Sequence, residues 1–248
     1  MSVINQDYPN IEYLVMDGGS NDRSQGIIER YSHRVTHWVS EKDRGQADAI
    51  NKGWKIAKGE IFSWLNADDT LLPGAVSRVV QAFLKKPSAS IVYGNWTYMD
   101  EDGRQVGLGQ GRPTTFKQML LSGQIKFMAQ PASFYNAQMV RESGYLDPVL
   151  HFAMDYDLLL KLAKKSSAVH LSEPIAGFRI HESTKSNTYP VLAWKERIRV
   201  VKKHSLFFAI PHYCLYLRYR VFCVLPESFQ RLIRSWRNSI NDKIPLSQ

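Results

Sequence analysis

The chain has 248 residues, 44% hydrophobic and 22% charged, enough to bury a sizeable core and ordinary for a globular protein. Its formal charge of +9 is lopsided: Pro190 to Gln248 holds eleven Lys/Arg against three acids, a net of +8, and the body is close to neutral. That balance removes the case for nucleic acid from the body, and two cysteines without disulfide or metal-ligand spacing (Cys214 and Cys223) point to a reducing compartment.

Ser2 to Asp7 has neither the basic start nor the apolar core of an export signal. After the turn signal Pro9-Asn10, Ile11 to Met16 reads as a strand ending in Asp17-Gly18-Gly19-Ser20. Ile27, Ile28 and Tyr31 begin a short helix, and Val35 to Val39 forms the next strand, followed by a loop from Ser40 to Gly45. Ala47, Ile50, Trp54 and Ala57 make the apolar stripe of a helix that Gly59 ends. This βα alternation predicts an α/β fold with a parallel, doubly wound sheet.

The apolar run Ile61 to Leu65 stops abruptly at Asn66-Ala67-Asp68-Asp69, and a helix follows over about 74–86. Ile91 to Gly94 is a fourth strand, leading through Trp96, Tyr98 and Met99 to a hairpin turn at Asp100 to Gly103. Residues 107–113 are Gly-rich and read as a mobile loop. Helices are expected over about 137–143 and 156–165, strands at Ala168 to Leu171 and Ile175 to His181, and a loop from Glu182 to Thr188. Leu206 to Leu225 is rich in Leu, Phe and Tyr, but Pro211, Arg218 and Arg220 argue against a membrane span. An interfacial amphipathic segment and a helix packed on the body both fit it.

A strand that delivers adjacent carboxylates at its C-terminal end is where open α/β sheets hold ligands. Asp68 and Asp69 suit a divalent cation and, through it, a diphosphate. Capping of the next helix by Asp69 or Thr70 explains the same residues. Asp17 has two readings as well: an acceptor for a base N–H, or a turn aspartate bonding the amides of Gly18 and Gly19. Asp155 and Asp157, at the start of a helix, are a candidate general base or structural residues.

The order and spacing of Val3 to Asp22, Gly45 to Gly53, Asn66-Ala67-Asp68-Asp69, Asp155-Tyr156-Asp157-Leu158 and Phe178-Arg179-Ile180-His181 resemble glycosyltransferase family 2. The resemblance implies a GT-A fold, a Rossmann-like mixed sheet flanked by helices, over residues 1–188. Its nucleotide-sugar half would span about 1–100 and its acceptor half about 101–188, with 189–248 a basic helical tail. It further implies transfer of a single sugar, with inversion, from a nucleotide-diphosphate sugar donor to a glycan or lipid-linked acceptor. Asp17 matches the acid that contacts the donor's base, and Arg44 lies where some members place a basic residue near the nucleotide. Asp68 and Asp69 match the DXD element, with Asn66 standing where the family often has Asp. They would meet the ribose and an Mg²⁺ or Mn²⁺ ion, with His181 as a further metal ligand. Asp155 matches the catalytic base. His33, His37, His151 and His170 take no assigned role. The chain lacks a Gln-x-x-Arg-Trp element, which sets it apart from processive synthases, and a Gly/Lys-rich phosphate loop, which a nucleotidyltransferase would need. The tail implies a cytoplasmic protein with peripheral contact to an anionic membrane, and no nucleic acid partner.

The family normally opens with a strand and a helix, of which only the helix end is expected here; the strand, a loop and most of the helix, roughly 20–30 residues by typical element lengths, are expected to be absent. That strand would lie between the one ending at Asp17 and the one ending at Asn66, and without it two edges stand unpaired. The alternative to a transferase is therefore a weak or inactive fragment that binds a sugar or a partner.

Overall fold

The computed structural model describes residues 1–122, 128–180 and 189–225. The chain divides into two compact units, Met1–Val200 and Val201–Gln248. The first is built on a mixed sheet. Its central strand, β5 (Ile91–Met99), is apolar on both faces, and all but one of its residues are buried. Such a strand must be covered on both sides, and strands and helices do so.

β5 pairs in parallel with β8 (Ala168–Arg179) and antiparallel with β7 (Ser133–Asn136). β3 (Ile61–Phe62) adds to β7 and β4 (Thr70–Leu71) to β8, both antiparallel, giving the order β3-β7-β5-β8-β4. β6 (Gln105–Gly109) forms the expected hairpin with the far half of β5. The expected mobile loop at 107–113 is thus partly strand, and its remainder is tethered: Gly111 N–H donates to Asn95 Oδ1 at 2.8 Å and Tyr93 OH to the Arg112 carbonyl at 2.6 Å. The two strands expected over 168–181 are one, with register shifts opposite Asn95, where Pro174 has no N–H to give.

β1 (Leu14–Asp17) and β2 (His37–Ser40) form a separate parallel pair. α1 (Ser24–Arg30) connects them, and α2 (Gln46–Ile56) follows, as its apolar stripe predicted. Gly45 begins α2 at φ 118°, a conformation that favours glycine. α3 (Ala75–Lys85) lays Val79 and Phe83 on the six-stranded sheet. α4 (Phe116–Ser122) was not anticipated; α5 (Ala137–Glu142) and α6 (Met154–Lys165) were.

β1 and β3 do not pair. Each is the edge of its own sheet, and between them lies a cavity of about 1030 Å³ walled by Leu14, Met16, Trp54, Phe62, Val79 and Val80. The expected pair of open edges is present. β3 is correspondingly shorter than the apolar run Ile61 to Leu65: beyond Phe62, side chains carry on the bonding, with Ser63 Oγ donating to the Ser133 carbonyl (3.0 Å) and Gln130 Nε2 to that of Trp64 (2.6 Å).

α7 (Pro190–His204) runs through the end of the first unit, which extends past the boundary at 188 expected from the sequence. α8 (Leu206–Val224) holds Pro211 in its interior and is capped by Ser205, whose Oγ accepts from Phe208 N–H at 3.4 Å. Among the described residues no helix is long and apolar enough to cross a membrane. The expected loop at Glu182 to Thr188 lies outside the described residues, as does His181.

Candidate active site

Four loop ends meet on one side of the first unit. The loop after β1 touches the loop after β2: a Cβ on Gly18 would fall 2.4 Å from Asp43 Oδ2. The loop after β2 touches the turn before α6, with the Gly45 Cβ position 3.5 Å from His151 Nδ1. Gln46, at the start of α2, donates through Nε2 to Asn66 Oδ1 at 2.6 Å, which brings in the end of the β3 segment. Contacts no longer than a hydrogen bond or a van der Waals touch therefore link the segments carrying Asp17, Asp68, Asp69 and Asp155.

Asp17 closes a turn, chiefly on Ser20, with the Gly19 amide a weaker partner. Its carboxylate accepts from Ser20 N–H (3.0 Å) and from the hydroxyls of Ser20 and Ser40, and these bonds hold its pKa below the usual value. A carboxylate offers about four acceptor sites, and Ser20, Ser40 and the weaker Gly19 contact occupy most of them, so a base N–H would share or displace one of these bonds. Arg44 reaches no other segment: Nη2 sits 2.9 Å from Asp48 Oδ1, one helical turn along, and its side chain is 81% exposed. That pair draws the Asp48 pKa down to about 2.

Asp68 and Asp69 face different ways. Asp68 is exposed and Asp69 is buried, with 5% of its surface accessible. Asp69 Oδ1 accepts from Arg179 N–H (3.0 Å) and Oδ2 from Asn66 Nδ2 (3.2 Å). Burial, with help from the neighbouring charge of Asp68, pushes its pKa up to about 6. The Arg179 guanidinium donates to the Asp68 carbonyl (2.9 Å) and to those of Asp100 (2.7 Å) and Glu101 (2.8 Å), pinning this segment to the β5–β6 hairpin. Asn66 acts as a joint, because its amide also donates to Gln130 Oε1 at 3.1 Å.

These residues fit a divalent cation. Asp68 and Asp69 supply hard carboxylate oxygens, and Asp69 is a desolvated carboxyl whose ionised form a cation would favour. Among the described residues no cluster of three or more His, Cys, Asp or Glu side chains would hold a metal alone. Mg²⁺ commonly takes one or two carboxylates and completes its shell with phosphate oxygens and water.

The two acids of α6 separate cleanly. Asp157 is fully buried and paired with Lys161 at 2.7 Å, a structural role. Asp155 retains surface exposure, yet protein atoms surround its carboxyl closely enough that desolvation raises its pKa to about 6. The N–H of Tyr156, at 2.7 Å, and the charge of Arg197 oppose that rise. Asp155 does not cap the helix: Ala153 occupies that position. The charge of Asp155 reaches the Tyr135 phenol, whose ring stacks on Trp64 with centroids 5.5 Å apart, two residues ahead of Asn66. Asp155 therefore lies at the same end of β3 and β7 as the acidic segment.

Sequence reasoning missed the groups that hold the site together: Gln46, Gln130, Arg179 and, from α7, Glu196 and Arg197. Glu196 carried one signal, since no other acid lies between Glu182 and Glu227.

A family model described as "Glycosyl transferase family 2" matches residues 1–144, more than half of the chain. The chain belongs to glycosyl transferase family 2. An uncharacterized glycosyltransferase of Rickettsia typhi is 27% identical over 192 residues, covering 75% of this chain and 60% of that protein. The chain thus spans less than two thirds of that relative's length. The fold is similar to TarS of S. aureus crystallised with UDP (TM-score 0.59, 19% identity, covering 81% of this chain and 58% of that one). It is also similar to the mannosyltransferase PcManGT of Pyrobaculum calidifontis in complex with GDP-Man and Mn²⁺ (TM-score 0.60, 16% identity, 96% and 74%). These likenesses place the α/β sheet among GT-A folds.

Proposed function

We propose that this chain carries a glycosyltransferase which moves a single sugar from a nucleoside-diphosphate sugar to a hydroxyl of a glycan or lipid-linked acceptor, with inversion. The observation that carries this reading is the meeting of the Asp17, Asp68/Asp69 and Asp155 segments, with two different environments for the acids. Asp17 is held ionised by hydroxyls and an amide, as an acceptor for a base N–H must be. Asp68 and Asp69 would hold a divalent cation, which supplies charge for the leaving diphosphate. Asp155, poised near neutrality, takes the acceptor hydroxyl's proton as the oxygen attacks from the face opposite the diphosphate. His181 and Arg44 are secondary candidates for the metal and the nucleotide; the Asp48 pair would have to open for Arg44 to serve.

α8 is read as the membrane contact. Leu206, Phe207, Ile210, Tyr213, Leu215, Leu217 and Val221 are all exposed, a broad apolar surface on a helix that also carries Arg218 and Arg220. This arrangement suits the surface of an anionic bilayer.

A second reading, a binding module without turnover, draws on the cavity between β1 and β3, which leaves the two halves of the site on unconnected sheets. Equilibrium binding of UDP and GDP with Mn²⁺, then turnover on a panel of UDP- and GDP-sugars with the product anomer read by NMR, separates the two. Inverted product supports the transferase; retained configuration rules out the single-displacement step; binding without turnover favours the module; failure to bind either nucleotide removes the enzyme reading.

A further inference from the structure

The turn in front of α6 is held from another helix. Three successive backbone amides, His151, Phe152 and Ala153, all point at one carboxylate, that of Glu196 on α7. His151 N–H donates to Oε1 (3.0 Å) and Oε2 (2.9 Å), Phe152 N–H to Oε2 (2.7 Å) and Ala153 N–H to Oε2 (3.1 Å). The N-cap position, Ala153, offers no side-chain cap: Asp155 takes the Tyr156 N–H, and Glu196 takes the amides of the three residues leading into the helix. A carboxylate there also meets the positive end of the helix dipole and a run of convergent N–H groups, and charge-assisted bonds of this kind are the strong ones.

Asp155 follows this turn by two residues, in the first helical turn, so its position is set by where Ala153 and Met154 are fixed. His151, on the same turn, abuts Gly45 of the loop after β2. One side chain thus fixes a segment that touches both the candidate base and the nucleotide-side loop. It does so from a helix that reads by composition as part of a basic tail.

We infer that Glu196 is a positioning residue for Asp155, acting through the backbone of residues 151–153 by geometry rather than through its charge. This rests on the reading of Asp155 as general base. Without the clamp, the turn loosens and water reaches the Asp155 carboxyl. Its titration midpoint then moves down toward that of a solvated aspartate. Among the described residues, the charged and titratable groups that act on that carboxyl are Arg197 of α7 and Tyr135 of β7, and neither is altered in the variants below.

The test is carboxyl-carbon NMR titration of the full chain labelled at aspartate, with the Asp155 signal assigned through Asp155→Asn. Glu196→Asp keeps the charge but draws it back by one methylene; Glu196→Gln keeps the reach and an acceptor oxygen but removes the charge. The Asp155 midpoint is expected to fall by about one pH unit in Glu196→Asp and by less than that in Glu196→Gln, which keeps one acceptor oxygen at the original reach, with both variants folded by circular dichroism. An unchanged midpoint in Glu196→Asp, or a shift in Glu196→Gln with none in Glu196→Asp, overturns the inference. On whichever UDP- or GDP-sugar the wild type turns over, Glu196→Asp should lower kcat about tenfold or more while the donor KM stays within about twofold. A matching rise in KM would mark a merely structural role and count against it. Full turnover by Asp155→Asn would instead sink the general-base reading, which the NMR result leaves independent.

Discussion

Asp155 and Asp69 share an anomaly: each carboxyl is pushed up from 3.8 to about 6, chiefly by burial. A base with that pKa is ionised only above about pH 6, so the transfer rate should rise as pH passes through 6. A pH–rate profile flat between pH 5 and 7 would contradict the assignment. The sign for stability is opposite. The folded chain holds these protons more tightly than the unfolded chain, so the stabilising contribution is present below about pH 4 and is lost as pH rises through 6. Replacing the base should leave binding largely intact: Asp155→Asn is expected to cut transfer at least about 100-fold while UDP or GDP affinity, measured by calorimetry, stays within a few-fold. Legibility at this scale followed chemistry. The acids stood out because strand ends and helix starts expose them in sequence. Glu196 and Arg179 did not, because a carboxylate meeting amides 43 to 45 residues away, or a guanidinium meeting carbonyls, leaves no local pattern.

Elements with a clear period were the ones foreseen. α2, α3, α5 and α6 fall within two residues of their expected bounds because a buried face at helical spacing needs no partner to be recognised. Strand lengths were harder. β5 runs to Met99 because the hairpin partner β6 extends it, whereas β3 stops at Phe62 because only one neighbour pairs with it. α2 also carries a hidden joint. Asn51, buried in that helix, donates through Nδ2 to the Leu146 carbonyl (2.9 Å) and accepts from its N–H (3.1 Å), tying α2 to the turn ahead of α6. Asn51→Ala would leave both Leu146 groups unsatisfied, and a destabilisation of about 2–4 kcal/mol in urea unfolding is expected. A loss under about 0.5 kcal/mol would mean that water replaces the amide.

At the scale of the molecule, the order of the elements was readable from the sequence, the mixed sheet and its open edges followed from the family resemblance, and the parallel sheet that the βα alternation predicted gives way to largely antiparallel pairing around β5. The basic composition of 190–248 conceals a helix whose first turns belong to the body. α8 bears the membrane prediction: Phe207→Ser with Ile210→Ser, removing two side chains that are 74% and 61% exposed, should reduce partitioning onto vesicles containing phosphatidylserine. Equal partitioning of variant and wild type would remove α8 from that role.

The slot between β1 and β3 also bears on the order in which the molecule comes apart. With no ladder joining the two sheets, the β1–β2 pair can open as its own cooperative unit while the β5-centred sheet stays closed. Amide protons of Met16 and Val39 should then exchange with solvent well before those of Val92 and Tyr93. A donor that grips Asp17 on one sheet and Asp68 on the other would couple the two openings, at about 2.7 kcal/mol when present at a hundred times its Kd. Bound nucleotide would therefore slow exchange most in the pair of strands that holds fewest of the buried side chains, turning two melting units into one.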